Sequence, residues 1–447
     1  MLGLSCSYDT LFPSNPTTYG RIANQAGGMS QVRKTHRVVI TGLGIVAPNG
    51  IGKDAFWNAL IAGKSGIDFI SAFDASSYPC QIAGEVKEFF PVDFVQGRKV
   101  KMMGRFSQLA VASTRLALED SRLTITPSRT FQTTVCFGNS ANGIGDIGGD
   151  AIEALRIDGV KGVKPWSALE FPPHAAASYL AIEFGIKGRA MSISSNCCTS
   201  LDALQTGYQQ IVEGSAKIAL TGGCDAPIFA PSFSAFCALG ALSKRNDAPE
   251  EASRPYDLLR DGIVISEGSA TIVLEDYDYA MDRGAPIYAE VLGYGAASEA
   301  IGMRKGDLTG QVMSEAIRSA IAGAHLRPSD IDHINAHGSS LPDYDVCDTN
   351  AFKIALGAHA YKIPVVSIKS MTGQPVSAAG GFQTVAACLS IRDQRVPPTT
   401  NQKVADPQCD LDYVPNVSRV ARVNRVLING HSFGGSVSAV VIGSVEP

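Results

Sequence analysis

Charge is scarce in this chain, and what little there is shows no excess of one sign that would attract a polyanion. Only 18% of the 447 residues are Asp, Glu, Lys or Arg, against 45% hydrophobic, and the formal net charge is −4. A chain so rich in apolar residues can bury a large core, which excludes disorder over most of its length. Lack of a basic stripe excludes nucleic acid as an expected partner. No apolar run reaches the ~18 residues a membrane span requires, since Gly, Asp or Lys interrupts each candidate, so no membrane association is expected. The ten cysteines form no CxxC pair and no Cys/His block at zinc spacing, which excludes a disulfide framework and a metal site. The expectation is a soluble protein of a reducing cytoplasm. A negatively charged partner would need only a local basic patch, which net charge does not report.

Residues 1–35 lack periodicity, a basic start and an apolar run of signal length, so they read as a disordered extension. From residue 37 onward, short β-branched runs alternate with helical stretches, the pattern of an α/β protein with buried strands. Strands are expected at Arg37–Thr41, Thr134–Phe137, Met191–Ser194, Lys217–Thr221, Ala270–Glu275, His333–Ala336, Pro364–Ile368 and Arg425–Asn429. Apolar residues at helical spacing mark Arg105–Asp120 and Gln311–Ala324. Ser192-Ile193-Ser194 and Ser367-Ile368-Lys369, each followed by a helix, look like copies of one another. A duplicated α/β unit is therefore expected, with halves at residues 36–285 and 286–447.

Two glycine patterns mimic dinucleotide binding. Gly42-Leu43-Gly44 is followed by Pro48-Asn49-Gly50 instead of a helix N-terminus, and the run from Gly143 to Gly148 has no acidic strand end about twenty residues on. Both are expected to be tight turns against buried backbone.

Four segments carry chemistry. Ser194-Ser195-Asn196-Cys197-Cys198-Thr199 stands between an apolar strand and a helix reaching about Val212. A cysteine there meets the positive end of the helix dipole and free N–H groups, which favour the thiolate. Adjacent side chains diverge, so only one of Cys197 and Cys198 can face a given pocket. His337 leaves a strand into the small-residue loop Gly338-Ser339-Ser340, available for hydrogen bonding or acid/base work. Lys369 ends an apolar strand, where burial is costly unless it is paired, and Asp345 or Asp348 is the expected partner. Finally, Phe433-Gly434-Gly435 follows the strand at Arg425–Asn429.

The order of these segments, with Val38 to Asn49 before them and Arg254-Pro255-Tyr256-Asp257 and Arg260-Asp261-Gly262 between, resembles the elongating β-ketoacyl-acyl-carrier-protein synthases over about residues 37–445. The resemblance implies a thiolase-like five-layer αβαβα fold. It implies an acyltransferase reaction in which an acyl group passes from a phosphopantetheine thioester to Cys198 and then condenses with a decarboxylated malonyl thioester. Acyl carrier protein is the implied partner, beside an identical or related second subunit, and no bound cofactor is implied. By motif position Cys198, His337 and Gln374 form the catalytic set, with Lys369 and its aspartates in support. Ser339 would meet the pantetheine, and Phe433 would gate the site and join Cys198 in an oxyanion hole.

Gln374 departs from the family pattern, which has a second histidine there. Its amide can donate a hydrogen bond but cannot relay a proton. Chain elongation in fatty-acid-like or polyketide metabolism is the favoured reading. The alternatives are a non-elongating or cyclising acyltransferase, favoured by Gln374, and a non-catalytic chain-length partner, opposed by the retained cysteine and histidine.

Overall fold

The computed structural model describes residues 36–95, 97–141 and 145–446. The expected extension over residues 1–35 lies outside the described residues, as do Gly143 and Ile144 of the second glycine pattern.

Ten strands of one mixed sheet form the frame. The first five are β1 (Val38–Ala47), β2 (Thr133–Gly138), β3 (Ala190–Ile193), β4 (Ile218–Asp225) and β5 (Gly268–Asp276). They lie in the order β3-β2-β4-β5-β1. The next five are β6 (Ala289–Ser298), β7 (His333–Asn335), β8 (Val365–Val366), β9 (Arg425–His431) and β10 (Ser436–Gly443). Their order, β8-β7-β9-β10-β6, repeats the first. Pairing senses repeat too: β3-β2-β4 and β8-β7-β9 are parallel, while the remaining pairs within each set are antiparallel. The two sets join where Val39 pairs with Glu290 and Ile40 with Ala289. The likeness between Ser192-Ile193-Ser194 and Ser367-Ile368-Lys369 is thus topological, because β3 and β8 hold equivalent places.

Helices complete the layers. Helices α1 (Arg105–Asp120) and α2 (Ala175–Phe184) cover the outer face of the first set, and α3 (Thr199–Val212) covers its inner face. In the second set α4 (Gln311–Gly323), with α5 (Pro342–Leu356) packed on it, is outer and α6 (Ala379–Asp393) is inner. Helices α3 and α6 pack on each other between the two strand sets, giving the αβαβα order. Every residue of α6 from Ala379 to Ile391 is buried, as a helix enclosed on all sides requires.

The glycine pattern at Gly42-Leu43-Gly44 is not the expected turn. Both glycines lie inside β1, all ten residues of which are buried. A Cβ on Gly44 would stand 1.8 Å from the Ser113 carbonyl oxygen of α1, and one on Gly42 would stand 2.4 Å from that of Ala117. The repeat contains the same device: a Cβ on Gly293 or Gly295 of β6 would stand 2.1 Å from the Ala320 or Ala316 carbonyl of α4. In each half these glycines let an outer helix lie directly on a strand.

Candidate active site

The chemical groups leave the carboxyl ends of parallel strands, where an open α/β sheet presents its crevice. Strand β3 leads to the cysteines, β7 to His337, β8 to Lys369 and β9 to Phe433. After β3 the chain turns sharply: Asn196 has φ of 56°, a left-handed conformation that asparagine tolerates better than most residues. A single 3-10 turn, Asn196–Cys198, then enters α3.

This elbow separates the two thiols. Cys197 lines a chamber together with Asn196, His337, Gln374, His431 and Phe433. Cys198 is fully buried and donates to the Ser436 carbonyl at 3.3 Å. A Cβ placed on Gly430 would meet the Cys198 sulfur and a Leu201 methyl, each at 3.3 Å. The structure therefore corrects the assignment of Cys198: its side chain belongs to the core face of α3, and Cys197 is the thiol of the chamber. Helical spacing gave the signal, since Cys198 and the core residue Leu201 are three apart on one face. The backbone N–H of Cys198 is also engaged, donating to Ser432 Oγ at 3.0 Å, so it is not a free oxyanion donor. Phe433 N–H has no hydrogen-bond partner among the described residues.

The chamber holds about 20 Å³, space for about one water molecule. Outside it lies a cavity of about 470 Å³ lined by Ser140, Ser194, Met303 and Ser436 among others. Phe433, Phe236, Val376 and Asn196 line both spaces. The Phe433 ring is held edge-on to Tyr344, 5.8 Å between centroids.

Burial sets the protonation of the chamber. It pushes the Cys197 thiol up to about 12, although the Lys369 charge opposes the rise. Burial thus works against the thiolate that the helix dipole favours. Desolvation, and after it the Lys369 charge, holds His337 well below its ordinary value, so its imidazole is neutral.

Lys369 does not form the expected ion pair. Its ammonium donates to the His337 carbonyl at 2.6 Å and to Gln383 Oε1 at 3.3 Å, and no ion pair joins it to Asp345 or Asp348. Burial pulls it down to about 8, against the attraction of Cys197 and both aspartates. The aspartates hold the loop through backbone N–H groups instead. Asp345 accepts from Ser339, Ser340 and Tyr256 and lies 3.5 Å from Arg260. Burial raises its carboxyl to about 7. Asp348 accepts from Gly338 at 2.8 Å and from Asn429 at 2.9 Å. Ser339 lines the chamber.

Gln374 reaches Cys197, its amide nitrogen donating to the sulfur at 3.4 Å, while its Oε1 has no partner among the described residues. Two further groups escaped the sequence reading. Gln383 of α6 ties β7 to β9, donating to the Asn335 and Asn429 carbonyls at 2.9 and 3.1 Å. His431, at the end of β9, lines the chamber with its Nε2 3.0 Å from Glu299 Oε1.

A cysteine at a helix start, sharing a chamber with a histidine from the other half and a phenylalanine, is the arrangement of an acyl-transferring thiol. The sequence matches the β-ketoacyl synthase N-terminal domain over residues 35–280 and the C-terminal domain over residues 288–403. The chain belongs to the β-ketoacyl synthase family. This ketosynthase is 38% identical over 409 residues to 3-oxoacyl-[acyl-carrier-protein] synthase 2 of Coxiella burnetii, covering 92% of this chain and 99% of that one. It is 40% identical over 417 residues to the tetracenomycin polyketide synthase ketoacyl synthase alpha subunit of Streptomyces glaucescens, covering 91% and 96%. Among solved structures it resembles the ishigamide ketosynthase/chain length factor, with a TM-score of 0.86 and 30% identity over 92% of this chain and all of that one. It also resembles a type II polyketide ketosynthase solved with its acyl-carrier protein, with a TM-score of 0.82 and 34% identity over the same shares. The ketosynthase thus has the thiolase-like fold and is a condensing enzyme of the acyltransferase type. Among the described residues no helix is long and apolar enough to cross a membrane.

Proposed function

We propose that this ketosynthase loads an acyl group from an acyl-carrier-protein thioester onto Cys197 and condenses it with a malonyl-carrier thioester. The observation that supports this most is the single chamber shared by Cys197, His337, Gln374 and Phe433. In loading, Cys197 attacks the carrier thioester and the pantetheine thiol leaves. The N–H groups of Cys197 and Phe433 receive the carbonyl oxygen as it gains charge. In condensation, decarboxylation of the malonyl group builds charge on its thioester oxygen, which His337 and the Gln374 amide meet as neutral donors. Lys369 fixes the His337 backbone, Asp345 and Asp348 fix the loop that follows, Ser339 lies on the pantetheine path, and Phe433 is the gate. No bound cofactor takes part.

The carrier is an acidic-partner type of substrate for a cytoplasmic enzyme, and a second ketosynthase-like subunit is its structural partner. Strand β3 supports the second point, because among the described residues it ends the sheet with one edge unpaired, and Ala190 is exposed. Residues 36–285 and 286–447 act as the two halves of the catalytic unit. Intact-mass analysis with a panel of acyl-carriers tests the proposal: the acyl mass should appear on wild type and on Cys198→Ala but not on Cys197→Ala. Acylation of Cys197→Ala at wild-type level would overturn it.

A further inference from the structure

The proposed reaction moves a proton that none of its three central residues is suited to carry. When Cys197 attacks a carrier thioester, its S–H proton must leave and then reach the departing pantetheine thiolate. Gln374 has no titratable group. His337 is buried beside the Lys369 charge, which disfavours an imidazolium there.

His431 stands in different surroundings. It lines the same chamber as Cys197, with its ring centroid 6.1 Å from that of His337 and 4.1 Å from that of Tyr344. Glu299 Oε1 is 3.0 Å from its Nε2, so an imidazolium formed there would lie against a carboxylate. Yet the approach is oblique, and among the described residues neither ring nitrogen has a hydrogen-bond partner; nor do Glu299 Oε2 and the Tyr344 hydroxyl. Three such atoms on chamber-lining residues, with the Glu299 oxygen behind His431, suit a site whose partners arrive with the substrate. Glu299 is itself anchored: its Oε1 accepts from Asp307 N–H at 3.0 Å, and its backbone N–H donates to the Gly435 carbonyl at 2.8 Å.

We propose that His431, positioned by Glu299, is a second catalytic histidine of this enzyme, supplying from β9 the proton transfer that Gln374 cannot. The inference rests on Cys197 being the acylated thiol. In loading, the Cys197 S–H bond breaks as the sulfur bonds to the carbonyl carbon, and His431 takes the proton directly or across one water, for which the chamber has room. The tetrahedral adduct then collapses, its bond to the pantetheine sulfur breaks, and His431 returns the proton to that sulfur. One thioester is lost and one formed, with no net proton. In condensation the malonyl carboxylate leaves as carbon dioxide and the Cys197 thiolate is released from the acyl group; His431 delivers to it one proton taken up from solvent water, the proton the overall reaction consumes.

The test begins with wild type and Cys197→Ala, which establish acylation at Cys197 before His431 is changed. His431→Phe should then lower single-turnover loading and condensation by about a hundredfold or more, the usual contribution of a general acid/base. Introducing Gln374→His into that variant should restore part of the loss. Glu299→Gln should shift the pH–rate profile while leaving KM for the acyl-carrier near wild type. The groups facing the ring are Glu299, His337, and Tyr344, Cys347 and Asp348 of α5, so the profile is compared with Cys347→Ala, which should retain the wild-type shape. Full rates and an unaltered profile in His431→Phe would overturn the proposal. So would one tightly bound metal ion per chain that is lost in Cys347→Ala, because Glu299, Cys347 and His431 place their ligand atoms within 4.8 Å of one another. Thermal melting of His431→Asn, which keeps a polar side chain in the chamber, separates lost chemistry from lost folding: a melt like wild type with the same rate loss supports the proposal.

Discussion

The Lys369 ammonium bonds the carbonyl of His337, not the carboxylate of either neighbouring aspartate. The lysine therefore fixes the backbone from which the histidine ring projects, and Gln383 binds both the lysine and the strand ends on either side. A positive charge held there also opposes the burial penalty on a Cys197 thiolate, linking the support of the site to the chemistry at its centre.

Removing that ammonium should cost stability and change its pH dependence. Lys369→Met leaves the His337 carbonyl unpaired, and losing a hydrogen bond to a charged group costs about 1.5–3 kcal/mol, partly offset by relief of a buried charge. The folded lysine sits near 8 against an ordinary 10.5. Between those values the unfolded chain holds the extra proton, so this residue's contribution rises with pH, complete above 10.5 and lost as pH falls through 8. Urea midpoints at pH 7.5 and 10 should show a rise in wild type relative to Lys369→Met. Equal pH dependence in the two would remove the buried charge from the account.

The two cysteines should separate cleanly. Cys197→Ala should abolish acyl loading with little change in melting temperature, since its thiol faces a chamber. Cys198→Ala should keep loading and lower stability by about 1 kcal/mol, the scale of one deleted core atom group. Intact mass and thermal melts on both variants check this, and the reverse pattern would restore Cys198 as nucleophile.

Much of this was legible in the sequence, and the failures have physical causes. Strand positions followed from β-branched runs because both faces of β1 and β4 are buried, leaving continuous apolar segments. The motifs located the loops bearing His337, Lys369 and Phe433 correctly, because each leaves a strand end. Motif spacing could not say which of two adjacent thiols turns inward. That depends on the left-handed Asn196 and on where α3 begins. Lys369 was assigned a carboxylate because charge pairing is the obvious remedy for burial, whereas a carbonyl acceptor leaves no mark in sequence. Gly42 and Gly44 read as a turn because glycine signals both a turn and a close approach. His431 was passed over as part of a glycine-rich turn, its carboxylate lying 132 positions away at Glu299.

Phe433 lines both a chamber of about 20 Å³ and a cavity of about 470 Å³, so its removal should expose the thiol. Phe433→Ala should raise the rate of Cys197 alkylation by iodoacetamide about tenfold, equivalent to ~1.4 kcal/mol of opening free energy. Fragment mass spectra localise the adduct to Cys197 or Cys198. An unchanged rate would mean that the ring is not the barrier.

Gln374 should divide the two half-reactions. Loading needs the Cys197 sulfur and backbone donors for the thioester oxygen, and the Gln374 amide bonds only the resting thiol at 3.4 Å. Gln374→Ala should therefore leave loading within a few-fold of wild type. Decarboxylation differs, because charge develops on the malonyl thioester oxygen, and one positioned donor is worth about 2.7–4 kcal/mol in such a transition state. Condensation by Gln374→Ala should slow by roughly a hundredfold or more on that scale. Gln374→His should retain or raise the rate, since imidazole offers the same N–H and can also carry a proton. Carbon dioxide release from malonyl-carrier, measured beside acyl loading for the three proteins, checks each step. If loading and decarboxylation fall together in Gln374→Ala, the amide acts on the thiol and not on the malonyl oxygen.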